Sequence, residues 1–198
     1  MRVFWVILIS SLINLDNASA FQFLISRPSF VGSLCGYIFG FPVEGFLIGV
    51  LLELVILDFT PVGGFTIPNG TVAACVSVLL LSKTNPYLAF FAGLVSGVLY
   101  SVVEKYLRLF NSKFNLLLDN QIKKGDYNFG KLIILALVME TVISFVFISL
   151  CYYIFSFVVS NLNFVYLTKV FRLSVFGTVF VTLTSLYFKF RTQVAKND

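Results

Sequence analysis

The chain has 198 residues, 59% of them hydrophobic and only 12% charged, and its mean hydropathy is +0.96. That charged share is about half the usual ~25%, too little to wet the surface of a soluble fold, so a soluble enzyme is excluded and an integral membrane protein is indicated. The formal net charge of +5 is expected mainly in loops, where it reads as a topology signal and not as a nucleic-acid footprint.

In chain order, Arg2 precedes an apolar run from Val3 to Leu15, and Ala18-Ser19-Ala20 fits a small-residue cleavage rule. The run is nevertheless expected to stay attached as a first membrane helix, because further hydrophobic segments follow. From Phe21 to Ser82 the apolar pieces are shorter, cut by Arg27-Pro28, Phe41-Pro42, Asp58, Pro61-Val62-Gly63-Gly64 and Pro68-Asn69-Gly70. Proline and glycine at such intervals break helices. Broken backbone at membrane depth survives only when buried in protein or lining a cavity, so this stretch predicts either a transporter binding region or an extramembrane loop between short helices.

Small residues recur every four positions at Gly32, Gly36 and Gly40, at Gly45 and Gly49, and at Gly93, Gly97 and Ser101. Each set lines one helix face and predicts close backbone approach, within a tight bundle or against a partner helix. Apolar stretches at 86–103, 132–159 and 164–188 reach or approach the ~20 residues that cross a hydrocarbon core. Lys169 and Arg172 sit near the middle of the last stretch, which leaves its boundary open and allows a break there or two shorter segments. Between them, Glu104 to Lys131 is the long polar segment, carrying Lys105, Arg108, Lys113, Lys123, Lys124 and Lys131, and it is expected to be a cytoplasmic loop. Lys189, Arg191 and Lys196 place the C-terminus on the same side, and the N-terminus is expected there too. The organisation expected is an all-α polytopic membrane protein, a single domain over 1–198 with a broken-helix core at 26–82, a loop at 104–131 and transmembrane helices at 132–190.

There is no histidine, which removes the commonest general base, metal ligand and phosphoryl carrier. Cys35, Cys75 and Cys151 have neither metal nor redox spacing and read as inert buried thiols. Carboxylates inside a membrane cost about 2.5–3.5 kcal/mol at a helix centre, so Glu53 and Glu140 need a reason to be there. Glu53 shares a face with Gly45 and Gly49 and is the better candidate for function; Glu140 reads as structural, and Asp16 and Asp58 as interface markers. No cofactor or metal is expected.

From Ser26 to Ala74 the order of elements becomes specific: Arg27-Pro28, a glycine-spaced helix ending at Gly40-Phe41-Pro42, Glu44-Gly45, Ile48-Gly49, Leu52-Glu53-Leu54, Pro61-Val62-Gly63-Gly64 and Pro68-Asn69. This stretch resembles the N-terminal core of the IIC subunit of mannose/fructose/sorbose-family sugar permeases of the bacterial phosphotransferase system. Asn69 stands where the family has aspartate, and the C-terminal half from Lys131 is similar in general hydropathy only. The resemblance implies a permease subunit in the inner membrane that works in an oligomeric assembly with a IID membrane partner, while soluble IIA and IIB proteins pass phosphate to the sugar. It implies sugar contact at Glu53 and Asn69 with the Gly63-Gly64 backbone alongside; the small-residue spacing, of no evident use against lipid, then places the IID subunit on the Gly32, Gly36, Gly40 face or the Gly93, Gly97 face. Rival readings are a non-transporting assembly partner and a small vitamin-binding subunit of an energy-coupling transporter.

Overall fold

The computed structural model describes residues 1–18, 23–59, 67–123, 129–161 and 168–194. They form helices α1 (Arg2–Ile13), α2 (Leu15–Ala18), α3 (Pro28–Phe39), α4 (Pro42–Leu57), α5 (Gly70–Leu80), α6 (Pro86–Lys123), α7 (Phe129–Asn161) and α8 (Thr168–Val194), with no strand among the described residues. The fold is all-α, as the composition and hydropathy predict.

Helix lengths fall into two classes. The 12 residues of α3 and 11 of α5 reach roughly 18 Å and 16 Å at 1.5 Å per residue, short of a hydrocarbon core of about 30 Å. By contrast α6, α7 and α8 contain apolar spans at Pro86–Phe110, Ile133–Asn161 and Thr168–Arg191, each long enough to cross. The short helices stop where the sequence has its prolines and glycines. Pro28 and Pro42 occupy first-turn positions of α3 and α4, where a missing N–H costs nothing. Gly40 ends α3 at φ 99, a left-handed conformation that suits glycine, and the Gly40 and Phe41 amides both donate to the Gly36 carbonyl.

The glycine faces close on each other inside the chain. A Cβ on Gly36 would stand 2.6 Å from the Phe41 carbonyl oxygen, and one on Gly45 would stand 2.9 Å from the Gly36 Cα, so α3 and α4 touch backbone to backbone. On α6, a Cβ at Gly97 would lie 2.7 Å from the Asn69 carbonyl oxygen and 3.0 Å from the Ala73 Cβ, while Gly93 meets Ala73 and Ser77. The expectation that these faces bind a second subunit is therefore corrected: α4 and α5 already fill them, because only hydrogen side chains let the helices approach that far.

Helix α5 is the centre of the bundle. Every residue from Thr71 to Leu80 is buried, against α3, α4, α6, α7 and α1. The core includes Val6 and Ile7 of α1, Leu52 of α4 and Phe90 of α6, and Cys35, Cys75 and Cys151 are buried free thiols. Only 11% of the span windows of α7 and of α8 is buried, against 44% for α6, so these two helices present most of their apolar surface outward.

The segment expected as a loop over 104–131 is helical to Lys123 and again from Phe129. Charge there marked polarity but not a break, since neither proline nor glycine occurs between Glu104 and Lys124 and most of the residues favour helix. Likewise Lys169 and Arg172 lie in the first turns of an unbroken α8 and not in mid-span.

Candidate functional site

Polar side chains gather where the short helices end. Asn14 closes α1, Asn17 follows in α2, Asn69 is the N-cap of α5, and Tyr100 and Glu104 stand one turn apart on α6, on the face that carries Gly97 and Ser101. Asn14, Asn69, Tyr100 and Ser144 of α7 are at most 1% exposed, and Glu104 is 8% exposed. Buried amides, hydroxyls and carboxylates must find partners, and these find one another.

Asn69 spends its whole side chain. Its Oδ1 accepts the Val72 amide at 2.9 Å, capping α5, while its Nδ2 donates to Asn14 Oδ1 at 2.7 Å and to Glu104 Oε1. Its backbone amide donates to the Gly97 carbonyl at 3.0 Å, fixing the register of α5 on α6. Asn14 Nδ2 in turn donates to the Tyr100 hydroxyl and to Ser144 Oγ, both at 3.1 Å, and those two hydroxyls bond each other at 2.8 Å. Glu104 receives Asn17 Nδ2 at 3.4 Å on the same Oε1 that Asn69 uses; its Oε2 accepts nothing among the described residues. The ion pairs among the described residues, Arg27–Glu53 and Lys189–Asp58, leave Glu104 out.

Glu53 lies apart from this centre, across the turn that starts α3. Its Oε1 accepts Arg27 Nη1 at 3.4 Å and its Oε2 the Ser29 amide at 3.3 Å. Ser29 is in the first turn of α3, so the carboxylate satisfies a free helix donor at the positive end of the helix dipole. The other side of the same turn meets α5: a Cβ on Gly70 would stand 2.5 Å from Pro28 Cγ, and Thr71 Oγ1 donates to the Ser26 carbonyl at 2.9 Å. Glu53 and Asn69 thus flank one turn, Arg27-Pro28-Ser29, without bonding each other. Gly63 and Gly64 lie outside the described residues.

Two carboxylates read from sequence as interface markers have defined partners. Asp16 accepts the Phe23 amide at 2.6 Å and the Ser26 amide at 3.1 Å, holding a turn in which Leu24 has φ 66. Asp58 accepts Ser185 Oγ at 2.7 Å and Lys189 Nζ at 2.6 Å, tying the end of α4 to α8. Glu104 is the residue that sequence reasoning missed, because it opens the charged run; its place one turn beyond Ser101 on the small-residue face was the available signal.

The sequence model of a family described as "PTS system sorbose-specific iic component" matches residues 1–184. The chain belongs to this family. It is therefore a IIC-type membrane permease subunit of the mannose/fructose/sorbose class of the phosphotransferase system, and the resemblance carried by residues 26–74 extends into the C-terminal half. A solved structure described as a membrane protein superposes with a TM-score of 0.75 at 19% identity, covering 93% of this chain and 76% of that one. The mannose transporter ManYZ, solved in complex with Microcin E492 (MceA), gives a TM-score of 0.59 at 18% identity, covering 96% of this chain and 77% of that one. At such identities the likeness is one of fold. No individually curated protein matches the chain.

Proposed function

We propose that this IIC chain carries a sugar through the region that Glu53 and Asn69 flank, with the Gly63-Gly64 backbone as a further contact. The observation that carries this reading is the family match over residues 1–184. A neutral sugar needs fixed donors and acceptors in a place sealed from water, and a carboxylate such as that of Glu53, with one partner on each oxygen, can still engage adjacent hydroxyls; the Asn69 side chain is held by Asn14, Glu104 and Val72 and borders the region. Residues 1–198 act as one membrane domain. Phosphate comes to the sugar from separate IIA and IIB proteins, and the lack of histidine accords with a chain that carries none itself.

A IID-type membrane subunit completes the assembly. With the glycine faces consumed within the chain, outward apolar surface is left to meet it or lipid, most of all on α7 and α8. The N-terminus, the junction between α6 and α7 and the C-terminus face the cytoplasm, as their lysines and arginines favour.

Glu53→Gln tests the site. The variant keeps an acceptor for Ser29 and loses the charge, so sugar uptake by cells producing the chain with its partners should show KM raised about tenfold, the scale of one weakened charge-assisted bond. The amount of chain in the membrane should not change. Uptake with an unaltered KM would move the site away from Glu53.

A further inference from the structure

Glu104 is 92% buried, lies within the apolar span Pro86–Phe110, and among the described residues has no ion-pair partner and no donor on Oε2. Among the described residues Ser77 Oγ is the buried side-chain atom without a partner, so Glu104 Oε2, which also has none, keeps some access to the space around the bundle; a carboxylate oxygen held dry and unpaired would forfeit a hydrogen bond, and this one is instead left where an arriving donor can meet it. The neighbours explain why Oε1 is held: Asn17 and Asn69 converge on it and fix the plane of the carboxylate. Arg108 and Glu140 act on the group only electrostatically, from further off. The result is a pre-oriented acceptor, anchored through Oε1 and without a partner on Oε2 among the described residues, next to the Asn69 that the family resemblance singles out.

We propose that Glu104 Oε2 is a sugar-binding acceptor of this permease, taking a hydrogen bond from one hydroxyl of the substrate. The proposal rests on the reading that the chain transports sugar, and adds to it a recognition residue on α6, with Asn17 and Asn69 as the positioning residues that orient it. A hydroxyl donating to a carboxylate makes a charge-assisted bond about twice as strong as a neutral one, so Glu104 would decide which hydroxyl pattern is accepted. Tyr100 and Ser144 stand behind Asn14 and do not reach Glu104 directly; they stiffen the amide that holds Asn69.

The test is a hydroxyl scan. Cells producing the full chain with its membrane and soluble partners, and lacking other hexose uptake, are given radiolabelled sorbose, fructose and mannose. For whichever sugar is taken up, its singly deoxygenated analogues are used as competitors. In the wild type, removing the hydroxyl that meets Glu104 should weaken competition about tenfold or more. Glu104→Gln retains the acceptor that Asn17 and Asn69 use but replaces Oε2 by an amide nitrogen. In that variant the penalty for this one analogue should shrink to about threefold or less, while the others keep theirs. Equal penalties in variant and wild type for every analogue would make Glu104 a structural residue and overturn the proposal while leaving the permease reading in place. No uptake of any sugar by the wild type with its partners would remove that reading itself, and the proposal with it. Should Glu104→Gln fail to reach the membrane, Arg108→Cys, one turn further along α6, leaves Glu104 and both of its amide partners in place beside a single accessible thiol, the native cysteines being buried. Saturating sugar should slow its modification by a hydrophilic maleimide, and an unchanged rate overturns the assignment.

Discussion

At the scale of single residues, the side chain of Asn69 has no capacity to spare: both amide hydrogens and the carbonyl oxygen are engaged. Asparagine here is a requirement of the network, because the carboxylate of this centre sits on α6 as Glu104. Asn69→Asp would keep the cap on α5 but delete donors to Asn14 and Glu104 and set two carboxylates face to face. Each buried acceptor left without its donor costs about 1–3 kcal/mol, so the variant is expected to unfold at lower temperature in detergent. Adding Glu104→Gln returns a donor from the opposite side and should recover part of the loss. A wild-type melting temperature for Asn69→Asp alone would mean that these hydrogen bonds do not hold the bundle together. Asn69 was legible in the sequence through its place after Pro68 in an ordered series of elements. Glu104 was not, because hydropathy along a chain cannot say which side of a helix a charge occupies.

Among elements, the breaks were readable and the pairings were not. Proline and glycine marked the ends of α3 and α4, whereas spacing alone could not say that Gly36 meets Gly45 and not a second protein. Charge density likewise misplaced the end of α6, since charged residues with good helix propensity continue a helix past the membrane. The backbone contact between α3 and α4 predicts a sharp contrast between glycines. Gly45→Ala places a methyl 2.9 Å from the Gly36 Cα and against the Gly32 carbonyl, where neither neighbour can swing aside, so the helices must separate. Overpacking of this kind costs about 1–3 kcal/mol. Gly177→Ala, in the interior of α8 with nothing within 4 Å, should be neutral or stabilise by up to about 1 kcal/mol through helix propensity. Thermal unfolding of the two variants in the same detergent measures both; similar shifts would show that α3 and α4 do not pack as tightly as described.

Across the whole molecule, stability is distributed from the inside outward. The α5 helix is buried along its length and is crossed by α1, α3, α4, α6 and α7, so its amides can exchange with solvent only when several helices part. By contrast α8 rests on α4 and α6 with most of its span turned outward, and its C-terminal turns are tied down by Ser185 and Lys189 on Asp58. That clamp is partly exposed, 41% for the lysine side chain and 24% for the aspartate, which argues for a modest contribution of about 1 kcal/mol. Asp58→Ala should therefore speed amide exchange in the last turns of α8 about fivefold, the population change that corresponds to such an energy, while α5 exchanges as slowly as before. Measured by mass spectrometry on chain reconstituted in lipid, faster exchange of α5 and α8 together would show that the bundle opens as one unit. Faster exchange confined to α8 would place this helix at the mobile edge of a rigid α3–α5 core, which is the arrangement that lets a carrier move one part while its binding residues keep their geometry.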